Sequence, residues 1–123
     1  MTQSAMILLA HGSSDARWRA PFETLEQNLQ PRVDKPVVLA FMELSEPSLE
    51  TRVAELAARG ISRIAILPPF FAASRHLRED VPGQLEEIAR EHPVSPHLLD
   101  PVGQHPAFVD ALASIVESQA QDR

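Results

Sequence analysis

Apolar residues in this chain fall into two kinds of run. Short unbroken stretches occur at 5–10 (AMILLA), 36–43 (PVVLAFME), 62–71 (SRIAILPPFF) and, more weakly, 95–101 (SPHLLDP). Runs this short, without alternation, are what strands covered on both faces look like. Between them the apolar positions recur every three or four residues, as along one side of a helix. Phe22, Leu25 and Leu29 do so in 21–29, Leu49, Val53, Leu56 and Ala57 in 47–59, and Val81, Leu85, Ile88 and Ala89 in 77–91; Phe108, Val109, Leu112, Ile115 and Val116 follow in 105–119. Pro21 suits a helix start, whose first amides have no intrahelical partner, and Gly60 suits a C-cap. Four repeats of strand then helix predict an α/β fold: one three-layer, flavodoxin-like domain over 1–123, with a four-stranded parallel sheet of order 2-1-3-4 flanked by helices. The end of the chain, SQAQDR, reads as a frayed tail.

In such sheets ligands bind outside the carboxyl ends of the strands, near the point where strand order reverses. The first run ends at His11 and the second at Glu43, and the connection after the third delivers His76 to the start of a helix. Two imidazoles and a carboxylate with open positions left over can hold a divalent metal together with a second ligand. Taken singly, each has a plainer reading: a structural histidine at 11, a solvated carboxylate at 43, a helix-start residue at 76. Their shared place at one sheet edge favours a site, although no short metal signature of the H-E-x-x-H kind is present. His92, His97 and His105 read as structural or surface residues.

Other residues colour that edge. Gly12-Ser13-Ser14 precedes a helix, so its amides and the hydroxyls of Ser13 and Ser14 could receive a carboxylate, or Ser14 or Asp15 could simply cap the helix. Arg17, Arg19, Arg75 and Arg78 lie in sequence beside the two histidines, and Arg17 and Arg75 are candidates to bind an anionic substrate. Trp18, Met42, Phe70 and Phe71 could wall a flat ring, though some must be ordinary core.

Composition narrows the classes. With 123 residues, no cysteine and a net charge of -6, the chain has neither disulfides nor thiolate metal sites, and it lacks the basic face a nucleic-acid binder needs. Its apolar runs are far below the roughly 20 residues that span a bilayer. No nucleic-acid or membrane partner is expected, and a cytoplasmic location is.

LLAHGSSD, AFMELSEPSLE, LPPFFAASRHLREDVP and GQHPAF, in this order and spacing, resemble the short form of the class II chelatases of tetrapyrrole synthesis, the sirohydrochlorin chelatase family. That likeness runs over nearly the whole chain. It implies insertion of a divalent metal, cobalt before iron or nickel, into sirohydrochlorin or a similar polycarboxylated tetrapyrrole. The reaction needs no ATP and no organic cofactor. The family's two histidines match His11 and His76, and its glutamate matches Glu43, as catalytic and metal-binding residues. The resemblance also implies a homodimer, which would enclose a macrocycle too wide for one small domain. The chain departs from the family at Ser74-Arg75, where relatives commonly have a glycine-rich turn. A non-catalytic metal- or tetrapyrrole-binding module of the same fold is the alternative.

Overall fold

Strand β1 (Ser4–Ala10) runs parallel to β2 (Val37–Phe41) on one side and to β3 (Arg63–Leu67) on the other, and β3 pairs in parallel with β4 (Ser95–Leu98). The computed structural model describes residues 3–72 and 74–120, and of His76 the backbone alone. The resulting order, β2-β1-β3-β4, is the one the sequence predicts. Helix α1 (Ala16–Leu29) links β1 to β2, and α2 (Leu49–Ala58) links β2 to β3. Helices α3 (Arg75–Glu79) and α4 (Val81–Glu91) lie between β3 and β4, and α5 (Pro106–Ala120) follows.

Alternate residues of each strand feed two cores. Ala5, Ile7 and Leu9 of β1 join Ile64 and Ile66 of β3 against Leu49, Val53 and Leu56 of α2 and Val81, Leu85 and Ile88 of α4. Leu8 and Ala10, with Val37, Leu39 and Phe41 of β2, face the other way, against Phe22, Leu25 and Leu29 of α1. Burial on both faces is why these strands read as unbroken apolar runs. Each fully buried aliphatic side chain contributes about 1.5–3 kcal/mol of transfer free energy, so these two layers dominate what holds the sheet in register.

Four expectations need correction. Helix α1 starts at Ala16, not near Pro21, because the Asp15 carboxylate accepts the Arg17 N–H and caps it there; Pro21 lies inside the helix. The single helix expected over 77–91 is two, broken at Asp80. Pro82 at the second position of α4 has no N–H to continue α3, so the chain restarts there. Strand β2 ends at Phe41 rather than Glu43, although its ladder continues as described below. The apolar stripe of α5 is not core: α5 buries no residue, and Val109, Leu112, Ile115 and Val116 are exposed. Of the expected tail, Ser118 to Ala120 are helical, and 121–123 lie outside the described residues. Among the described residues no helix is long and apolar enough to cross a membrane.

Candidate functional site

The β1–β2 ladder extends past both strands. The Met42 N–H donates to the Ala10 carbonyl at 2.8 Å, and the Glu43 N–H to the His11 carbonyl at 3.2 Å. Two predicted site residues 32 positions apart are therefore neighbours on the carboxyl edge of the sheet, both exposed. Directly after His11 the chain turns through Gly12, with φ +90°, where a Cβ would lie 1.9 Å from the Glu43 carbonyl oxygen. Only glycine combines that left-handed conformation with so close an approach.

The next residue is clamped from the same loop. The Ser13 N–H donates to the Ser45 hydroxyl at 2.9 Å, and that hydroxyl donates back to the Ser13 carbonyl. The Ser13 carbonyl also accepts from Arg19 at 2.8 Å, and the Ser13 hydroxyl accepts the Asp15 N–H at 3.0 Å. With its polar atoms engaged this way, the loop is held before any ligand arrives.

Beside it lies a cavity of about 370 Å³ lined by His11, Gly12, Ser13, Trp18, Phe22 and Phe70. The His11 imidazole stacks on the Phe70 ring with centroids 4.2 Å apart and planes 17° off parallel. Phe70 is itself placed from the other end of the sheet edge. The 3-10 turn Val102–Gln104 donates from the Val102 N–H to the Pro68 carbonyl at 3.0 Å and from the Gly103 N–H to the Phe70 carbonyl at 2.8 Å. A Cβ on Gly103 would lie 2.2 Å from the Phe71 carbonyl oxygen, so this contact too requires glycine. Trp18 is 71% exposed and offers an open aromatic wall, whereas Met42 packs against the core. An imidazole standing over an apolar floor can accept protons or bind a metal next to a flat, hydrophobic ring.

The remaining predicted residues are distributed as follows. Ser14 is exposed in the turn before α1. Arg17 is bound to Asp15 at 2.9 Å and is otherwise open to solvent. Its hydrogen bonds, side chain first and backbone second, hold the Asp15 carboxyl below the usual carboxylate range, and Asp15 raises Arg17 in turn. Arg75, the first residue of α3, pairs with Glu79 at 3.0 Å on the surface. Ser74 caps that helix, its hydroxyl accepting the Leu77 N–H at 3.2 Å. His76 is the second residue of α3, and its side chain lies outside the described residues. Among the described residues, Glu50, Glu91 and His92 bring donor atoms within 4.8 Å of one another, and none is a predicted site residue. Ser45 and Gly103 were not foreseen as site residues, although both lie in the segments AFMELSEPSLE and GQHPAF, because their partners are far away in sequence.

Comparison with known proteins adds the following. The CbiX family model matches residues 5–119. The sirohydrochlorin cobaltochelatase of Sulfurisphaera tokodaii is 30% identical over 112 residues, 91% of this chain and 90% of that one. The crystal structure of a CbiX protein from Marinobacter aquaeolei VT8 superposes with a TM-score of 0.86 at 39% identity, covering 98% of this chain and 99% of that one. The sirohydrochlorin chelatase SirB of Bacillus subtilis, solved with cobalt and with Fe³⁺, superposes with TM-scores of 0.80 and 0.79 at 23% identity. This chain spans 51% and 46% of those two, a likeness of fold.

Proposed function

Because the chain belongs to the CbiX family, we propose that it inserts a divalent metal into sirohydrochlorin or a similar polycarboxylated tetrapyrrole. The reaction exchanges one M²⁺ for two pyrrolic protons, so its residues must receive the ion and take up protons at the same place. The observation that carries this reading is the pairing of His11 with Glu43 beside a cavity floored by Phe70 and walled by Trp18. The macrocycle lies against the aromatic wall; the His11 imidazole, and His76 with it, accept the metal and then the pyrrolic protons, while the Glu43 carboxylate offsets charge during the transfer. Both metal and tetrapyrrole are substrates, and a loose, open ligand set suits an ion that must be passed on.

Ser13, Ser14, Arg17 and Arg75 serve the substrate carboxylates. For the two arginines this means exchanging an exposed ion pair, with Asp15 and with Glu79, for a bidentate contact to the ligand. Cobalt is the first metal to try, as in the name of the Sulfurisphaera tokodaii relative, with iron and nickel as alternatives. No organic cofactor is needed for an exchange of this kind. A cavity of about 370 Å³ is small for a macrocycle, which favours two copies facing one another across the substrate, in the cytoplasm where a chain without cysteine loses nothing.

The test is to incubate the protein with sirohydrochlorin and Co²⁺, Fe²⁺ or Ni²⁺ in turn and follow the absorbance change above the spontaneous rate. Acceleration with at least one ion, lost in His11→Ala, is the expected result. Ligand binding without acceleration would instead make the protein a carrier of metal or tetrapyrrole.

A further inference from the structure

One residue in an unfavourable conformation joins the two sets of contacts that tie the β2 end to the β1 end. The Glu43 N–H is bound to the His11 carbonyl and the Ser45 hydroxyl to Ser13, and between them Leu44 turns the chain at φ +64°. Among the described residues it is the only one other than glycine with a positive φ. A Cβ crowds the neighbouring backbone in this left-handed region, which glycine or asparagine enters far more readily.

Nothing in the fold rewards a leucine at this place. Its side chain is 72% exposed, so it gains little from leaving water. The hydrogen bonds on either side account for the turn, but they run through Glu43 and Ser45 and would be served as well by glycine. A side chain both strained and exposed, next to Glu43, points to a task outside the folding of the free chain.

Its surroundings indicate which task. Leu44 lines a hollow of about 350 Å³ together with Glu43, Ser45 and Glu46. His11 lines the separate hollow floored by Phe70, and the main-chain bond from Glu43 to His11 joins the two. A tetrapyrrole is wider than either, so a ring centred on His11 and Glu43 reaches over both. Two carboxylates and no basic residue line the Leu44 side. They repel the carboxylates of the substrate, which leaves the carbon skeleton of the ring to lie there, and a leucine side chain suits that surface.

We propose that Leu44 is a substrate-contact residue that helps to set specificity. It holds the carbon skeleton of the tetrapyrrole over the Glu43 hollow, while Trp18 does the same at the His11 hollow, and together they turn the substrate carboxylates away from Glu43 and Glu46. This deepens the metallation reading above and rests on it. The unfavourable backbone at Leu44 is then tolerated because its side chain is used when the ring is bound, which is also when it leaves water.

The test is a titration of the protein with sirohydrochlorin in the absence of metal, read by tetrapyrrole absorbance, for the parent, Leu44→Asn and Leu44→Met. Asparagine tolerates the left-handed backbone and removes the apolar surface; methionine keeps that surface. Kd is expected to rise about tenfold in Leu44→Asn, within the worth of one buried leucine side chain, and to stay within about twofold of the parent in Leu44→Met. Leu44→Asn should melt at or above the parent, since strain is relieved and no burial is lost, and in the metallation assay its KM should rise more than its kcat falls. A Leu44→Asn variant that binds as tightly as the parent would overturn the role of Leu44 and leave the proposed function standing. So would one that melts clearly lower, which would place the side chain in the fold, or one whose mass by light scattering differs from the parent's, which would place it between copies. Binding without metallation, weakened in Leu44→Asn, would uphold the contact and overturn only the chemistry. A parent protein that neither binds nor metallates sirohydrochlorin would overturn both.

Discussion

Gly12 and Glu43 are in contact through their main chains: the turn after His11 passes so near the Glu43 carbonyl that a single methyl group at Gly12 would meet its oxygen at 1.9 Å. Gly12→Ala therefore has to move the strand ends that carry His11 and Glu43, and it also places a side chain at φ +90°. We expect a loss of about 2–4 kcal/mol in stability by urea denaturation. Protein that still folds should lose at least about tenfold in metallation rate, because small displacements of positioned groups are costly.

His11 and Phe70 provide a second expectation. His11→Ala should remove the catalysed rate by roughly a hundredfold or more, the usual worth of a positioned proton acceptor, with stability nearly unchanged because His11 is exposed. Phe70→Leu keeps an apolar floor but no ring to stack on the imidazole, so a fall of about tenfold or less is expected, on the scale of one aromatic contact. Steady-state metallation rates for the two variants would rank them; equal losses would mean that Phe70 does more than support His11.

Gly103 lies far from His11 in sequence but acts on it through Phe70. A Cβ there would lie 2.2 Å from the Phe71 carbonyl oxygen, so Gly103→Ala should lift the 3-10 turn from the Phe70 carbonyl. The expected cost is about 2–3 kcal/mol, from overpacking with one backbone hydrogen bond lost. Comparing thermal melts with metallation rates would separate lost fold from lost position: activity should fall further than the unfolded fraction explains.

Ser45→Ala removes the hydroxyl that both accepts from and donates to Ser13. Leaving the half-buried Ser13 N–H without this partner, while its carbonyl keeps Arg19, should cost about 1 kcal/mol, and a loosened loop should raise KM for the tetrapyrrole more than it lowers kcat. An unchanged KM would show that the Ser13 loop does not meet the substrate.

The Asp15–Arg17 pair predicts a small pH effect. Asp15 has its carboxyl lowered in the folded protein, so the stabilisation is complete above the ordinary carboxylate value of about 3.9 and disappears as pH falls through the lowered one. Melting Asp15→Asn beside the parent should show a gap at neutral pH that closes in acid. That gap should be modest, since both partners are exposed and water screens them.

Much of this architecture is legible along the chain. Unbroken apolar runs and three-to-four spacing suffice for the strands and for α2 and the extent of α5, since burial of one face or two imposes its own period, and the crossover rule adds the strand order. Residues at the ends of those runs are equally legible, and so His11 and Glu43 could be placed at one edge from sequence. Pro21 misled, and the break at Pro82 was not read, because a proline marks a helix start or a helix break according to the caps around it, and the Asp15 cap lies outside the apolar period. Ser45 and Gly103 could not be found in this way: each matters for a backbone atom brought near by the fold, and a close approach leaves no periodic trace. Helix α5 shows the same limit from the other side. Its spacing marks one face as apolar; only the tertiary structure, in which α5 buries none of its described residues, decides that this face is not part of the chain's own core, because periodicity records a pattern of side chains and not the surface that meets it.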